Sequence, residues 1–258
     1  LTGPQVKRSE RAVIKVVSRT PTTEVHDVAS RDAQVRILVE KTTPAVGVVI
    51  LFAGGRGATM ISPEGRIGQL AGNFLIRSRH LLWAQGLTTV VFDAPSDNED
   101  DLRWIHDSEE FAADVGAVIR HLRKELKLPI WLIGTSRGTV AIANAASRLQ
   151  KDKPDGVVFS ATLFESGRFS DVFEFDLEKI ALPVLIVHHR ADACEVTPPG
   201  RVPTFRERLK AAQPLKVLWY EGGTPIGKPC RARHYHGFNT IEEQVIADVA
   251  AWIKKPAP

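Results

Sequence analysis

Hydrophobic and polar positions along this chain follow two alternating rhythms. Val46–Phe52 is an unbroken apolar run, the mark of a strand covered on both faces. Glu109–Leu126 instead places Phe111, Val115, Val118, Ile119, Leu122 and Leu126 on one helical face, with Asp107 as a candidate cap and Glu110 three residues on. Apolar runs at Thr88–Phe92, Ile130–Ile133, Gly156–Ser160, Pro183–Val187 and Leu215–Trp219 predict further strands. Helices are predicted at Ile67–Gln85, Arg137–Leu149, Val202–Ala212 and Gly237–Ile253. Two β-rich segments, Ala12–Val17 and Gln34–Val39, precede all of these and predict an antiparallel edge to the sheet.

Strand and helix alternating in this way predict an α/β fold: a mainly parallel central sheet of about eight strands with helices on both faces. No repeat, low-complexity tract or linker interrupts the pattern, so residues 1–258 are expected to form a single domain. The stretch 161–182 leaves room for a short cap-like insertion only.

Composition changes this picture little. Hydrophobic residues make up 43% and charged residues 25% of the 258, ordinary for a globular protein with a sizeable core. The net charge of +4 comes from scattered Lys and Arg, with no basic tract or aromatic-basic stripe, which argues against nucleic acid as a partner. No apolar run approaches the ~20 residues of a membrane helix. The chain starts at Leu1 without a methionine, as expected of an exported (periplasmic or secreted) chain after signal-peptide removal; a trimmed cytoplasmic chain is the alternative.

Ligands of an open parallel sheet bind outside the carboxyl ends of its strands, so candidate chemistry is sought there. After Ile130–Ile133 comes Gly134-Thr135-Ser136-Arg137-Gly138, a G-x-S-x-G turn that exposes the Ser136 hydroxyl between strand and helix. A serine needs a base, and the base needs an acid to orient it. Asp192 follows Pro183–Val187 in a polar loop and is the candidate acid, with Glu195 a weaker alternative. His236, in His-Gly-Phe before the last helix, is the candidate base, with His234 as its alternative. Ala53-Gly54-Gly55-Arg56-Gly57 follows Val46–Phe52; the Gly55 N–H, together with that of Arg137, is the expected oxyanion donor, and Gly54 and Arg56 are its alternatives. The acidic loop Asp93–Asp101 reads as solvated, with a pocket border or weak calcium ligands as alternatives, and Asn73, Arg77 and Arg79 read as substrate contacts, anchors of the oxyanion loop or a salt-bridged helix face.

From about Val46 to Ile253 the chain resembles the α/β-hydrolase superfamily. Gly134–Gly138 is similar to its nucleophile elbow, Asp192 falls where its acid follows a late strand, and His236 is similar to the histidine of its esterase and dienelactone-hydrolase-like branches. The resemblance implies hydrolysis by Ser136, His236 and Asp192 through an acyl-enzyme, with no cofactor. Many members carry His-Gly in the oxyanion loop, where this chain has Ala53-Gly54-Gly55.

Cys194 lies two residues past the candidate acid and Cys230 six before the candidate base, on loops that must meet, so a disulfide between them is expected; it too suits export. His188, His189, Asp192, Cys194, His234 and His236 include metal-ligand types, but no H-E-x-x-H or paired C-x-x-C spacing supports a metal site. The expected activity is hydrolysis of an ester in a small-molecule acyl substrate. Its alternatives are amide, thioester or acyl-transfer chemistry with the same residues, or a non-catalytic binding protein on the same fold. The oligomeric state is not encoded in any pattern along the chain.

Overall fold

A computed structural model of the chain describes residues 15–19 and 22–258, so residues 12–14 of the first predicted strand lie outside the described residues. Among these residues nine strands form one sheet: β1 (Lys15–Arg19), β2 (Thr23–Ser30), β3 (Ala33–Glu40), β4 (Gly47–Phe52), β5 (Leu87–Pro95), β6 (Ile130–Ser136), β7 (Gly156–Thr162), β8 (Val184–His189) and β9 (Leu215–Tyr220). Their order is β1-β2-β3-β5-β4-β6-β7-β8-β9. The first three strands pair antiparallel and β3 joins β5 antiparallel; from β5 to β9 every pairing is parallel.

Parallel strands need crossovers, and the helices that supply them cover the sheet. On one face α2 (Glu109–Leu126), α3 (Gly138–Arg148) and α4 (Val202–Arg208) enclose a core that includes Phe92, Phe111, Phe159 and Phe205. On the other, α1 (Phe74–Ala84) and α5 (Glu242–Lys254) close over Phe74, Trp131, Phe238 and Trp252. Every residue of β4 through β8 is buried except the last of β6, Ser136, which explains their continuous apolar runs.

The sheet holds one strand more than the hydrophobic pattern predicts. β2 escapes that pattern because its buried positions include Glu24, His26 and Asp27. Their polar groups find partners within β2 and on other elements. His26 lies 2.8 Å from both His121 Nε2 and Glu24 Oε2, Lys41 reaches Glu24 at 2.8 Å, and Arg36 donates to Asp27 at 2.7 and 2.8 Å.

Helix boundaries also shift for local reasons. α1 begins at Phe74 because Asn73 caps it, its side chain accepting from Leu75 N–H at 3.1 Å. Ser108, not Asp107, caps α2, accepting from Phe111 N–H at 3.0 Å. α5 starts only at Glu242, since Phe238 and Thr240 have φ of +54° and +70°, incompatible with a continuing right-handed helix. Between β7 and β8, two 3-10 turns at Val172–Glu174 and Leu177–Lys179 bury Val172 and Leu177 in the core shared with α3.

Candidate active site

The chain turns sharply from β6 into α3. Ser136 has φ +53°, a left-handed conformation that is costly for a residue with a Cβ. Two flanking glycines make the turn possible. A Cβ on Gly134 would lie 2.4 Å from Gly138 O, and one on Gly138 would lie 2.2 Å from Phe52 O. The strained peptide is also held from below: Thr139 Oγ1 donates to Ser136 O at 2.6 Å and accepts from Leu163 N–H at 3.0 Å.

Asp192 follows three residues after β8, His236 is the central residue of the 3-10 turn Tyr235–Gly237, and both are buried. His236 Nδ1 lies 3.0 Å from Asp192 Oδ2. The same carboxylate accepts from Cys194 N–H at 3.0 Å and from Thr197 Oγ1 at 2.9 Å, while Thr197 Oγ1 is 3.2 Å from His236 Nδ1. Burial alone would push the Asp192 carboxyl up. The hydrogen bond and charge of His236, joined by the Cys194 N–H, outweigh it and hold the group below the usual carboxylate range.

The histidine turn is fixed on both flanks. A Cβ on Gly237 would meet Ala232 O at 1.9 Å, so only glycine fits there. Gly237 O accepts from Arg77 Nη2 at 2.7 Å, and the same guanidinium pairs with Glu242 at 2.7 Å. Arg77 therefore ties α1 to the His236 turn, and Arg79 pairs with Glu40 at 3.0 Å. Cys194 and Cys230 form a disulfide with a Cα–Cα distance of 4.6 Å, clamping the loop after Asp192 to the loop before His236.

Ser136 and His236 line one cavity of about 490 Å³, together with Gly54, Gly55, Leu70 and Asn73. No hydrogen bond joins Ser136 Oγ to the imidazole among the described residues. Gly54 packs directly on the serine: a Cβ there would lie 2.9 Å from Ser136 Cβ and 3.0 Å from Thr135 O. Gly55 has φ +66°. The Arg137 side chain turns aside, stacking 4.9 Å above Phe169 and donating to Ser166 Oγ at 3.0 Å. Burial, then the nearby Arg103 charge, lower its pKa. Arg56 is largely exposed, 4.0 Å from Asp101.

The alternatives lie elsewhere. His234 stands 5.1 Å from the Tyr235 ring, with Nδ1 buried and unpartnered, and it has no bond to Asp192. Glu195 borders an adjoining depression with Lys228 and Arg231. Among the described residues no group of three or more His, Cys, Asp or Glu is placed to hold a metal ion.

Thr139, Thr197 and Asp93 do not stand out in the sequence. Asp93 is the most informative of the three, because it sits at the carboxyl end of β5 and is buried instead of solvated. Its carboxylate accepts from the N–H groups of Thr59, Met60, Ile61 and Ala94 at 2.6–3.0 Å, which fixes the chain just beyond the glycine loop. Its place after an apolar run, like that of Ser136 and Asp192, was the available signal.

The sheet order, the sharp turn after β6 and the helices on both faces define the α/β-hydrolase fold. Solved structures share this fold. An esterase from Pyrococcus furiosus superposes with a TM-score of 0.65 at 14% identity, covering 95% of this chain and 98% of its own. An α/β serine hydrolase homologue from Coxiella burnetii gives 0.59 at 19%, covering 93% and 100%. An α/β serine hydrolase without a lid from Xanthomonas campestris gives 0.60 at 18%, covering 93% and 98%. No protein-family model matches the sequence, and no curated protein does.

Proposed function

We propose that the protein is a serine hydrolase that cleaves a carboxylic ester in a small-molecule substrate. The observation that carries this reading is the buried His236–Asp192 pair, with Nδ1 3.0 Å from the carboxylate, opening on the same cavity as Ser136 at its strained turn. Esterases and serine hydrolases among the structural neighbours support the same class.

In the proposed reaction Ser136 Oγ attacks the ester carbonyl while His236 takes its proton. Asp192 orients the ring and stabilises its charged form. The negative oxygen of the tetrahedral intermediate is received by the main-chain N–H groups of Gly55 and Arg137. Collapse expels the alcohol, which takes the proton back from His236 and leaves an acyl group on Ser136. Water, activated by the same imidazole, then releases the acid. The hydrogen bond from Ser136 Oγ to the imidazole is expected in the substrate complex, where such contacts commonly tighten. The disulfide supports an exported protein, since such bonds persist in oxidising compartments.

The test is Ser136→Ala assayed on a chromogenic short-chain ester, with fluorophosphonate labelling of the parent protein. Loss of the nucleophile is expected to lower kcat by at least about 10⁴-fold with the fold intact. Undiminished turnover in the variant removes Ser136 from the mechanism. An unlabelled, inactive parent protein points instead to a binding role on this fold.

A further inference from the structure

The charges around this cavity are lopsided. Arg231 and Arg233 both line it, and no Asp or Glu does. Elsewhere arginines are mostly paired, as Arg36 is with Asp27, Arg77 with Glu242 and Arg148 with Glu109. Neither Arg231 nor Arg233 has a carboxylate within ion-pair distance among the described residues, although Glu195 borders the adjoining depression with Arg231.

The segment that carries the two arginines is held in place before any ligand binds. Ile226 N–H donates to Arg233 O at 2.7 Å, Arg231 N–H to Lys228 O at 2.9 Å and His234 N–H to Arg231 O at 3.0 Å. Cys230, next to Arg231, is anchored by the disulfide to Cys194. Two exposed arginines on this held main chain thus line a cavity whose other walls include the apolar Leu70, Phe74 and Ile226. A guanidinium presents a planar fork of donors that fits a carboxylate or phosphate, and a preset backbone reduces the ordering cost of binding one.

We infer that the substrate is an anionic ester: a short aliphatic acyl chain lies along the apolar wall, and a carboxylate or phosphate at its far end is bound by Arg231 and Arg233. This rests on the serine hydrolase reading and adds the substrate class. It assigns the two arginines to specificity and leaves the bond-breaking steps to Ser136 and His236.

The experiment compares mono-4-nitrophenyl adipate with 4-nitrophenyl hexanoate, which share chain length and leaving group and differ in the terminal charge. At low salt kcat/KM for the adipate ester is expected to exceed that for the hexanoate by about tenfold or more, as charged hydrogen bonds allow. The ratio of the two is expected to approach one in the double variant Arg231→Gln/Arg233→Gln, and to shrink with added salt in the parent because both arginines are exposed. A ratio near one in the parent, or a preference kept by the double variant, overturns the inference. Either result leaves the hydrolase reading standing if Ser136→Ala abolishes turnover of both esters.

A binding arm is independent of turnover. Adipate and, separately, inorganic phosphate are added to the Ser136→Ala protein with and without the two arginine substitutions. A rise in Tm that needs both arginines supports the inference, and the anion that produces it separates carboxylate from phosphate recognition. No rise with either anion overturns it.

Discussion

Acidification from pH 7 to pH 5 is expected to remove a large share of this protein's stability, because two histidines are buried without the means to be charged. His106 packs 5.1 Å from the Phe111 ring with Nδ1 unpartnered, and burial, reinforced by the Arg137 charge, pushes its pKa down to about 3. His188 lies between Phe164 and Trp219 with Nε2 unpartnered; burial lowers it to about 4 despite the opposing pull of Asp192. Unfolded, each ring titrates near 6.5. Both folded-state values are depressed, so the stabilisation is complete above pH 6.5 and is lost as pH falls toward the folded values. In that window the unfolded chain holds one more proton per ring, and each proton is worth about 1.4 kcal/mol per pH unit. At pH 5 the loss is about 2 kcal/mol per ring, about 4 kcal/mol for the two, or a fall in Tm of about 10 °C. His121, lowered to about 4 by burial and then by His26, acts in the same direction. The depressed carboxyl of Asp192 adds nothing to this loss between pH 7 and pH 5, because its own contribution is lost only below the ordinary carboxylate range. The assay is thermal or urea unfolding at pH 7, 6 and 5, with His106→Leu as control, in which the pH 7 to 5 difference should shrink by about 2 kcal/mol. Equal midpoints at pH 7 and pH 5 would refute the reasoning.

Two further expectations concern the loops. Replacing both Cys194 and Cys230 by alanine frees ends 36 residues apart and is expected to cost about 4 kcal/mol by chain entropy, read as a lower Tm, with kcat falling as the acid and base loops loosen; identical Tm values would remove the clamp from the account. Gly54→Ala would set a methyl 2.9 Å from Ser136 Cβ and 3.0 Å from Thr135 O, displacing the serine, lowering kcat/KM by about 10²-fold and lowering Tm by a few degrees, so parental rates in that variant would refute the packing argument.

Much of this site was legible in the sequence because its chemistry sits where apolar runs stop. Ser136 ends β6, and Asp192 follows three residues after β8. The order of strands and helices was legible for a related reason: strands buried on both faces cannot hide their composition. β2 was not, since its Glu24, His26 and Asp27 read as solvent-facing until His121, Lys41 and Arg36 supply partners from other parts of the chain. Thr197 stayed silent in the same way, and Asp93 showed only in its place after an apolar run. One acts on a ring 39 residues onward and the other on amides more than 30 residues back, and nothing local announces either contact. The Cys194–Cys230 pairing was inferable because both cysteines flank loops that the proposed chemistry forces together.

Asp192, joined by Thr197, decides which ring nitrogen of His236 carries the hydrogen. The Thr197 hydroxyl donates to the Asp192 oxygen, so what it turns toward Nδ1 is a lone pair, and the carboxylate offers nothing but lone pairs as well. Nδ1 is thereby surrounded by acceptors and must be the protonated nitrogen of the neutral ring. Nε2 is left bare, so the nitrogen free to accept a hydrogen is the one on the side of the ring away from the carboxylate, as the proposed mechanism requires of its base.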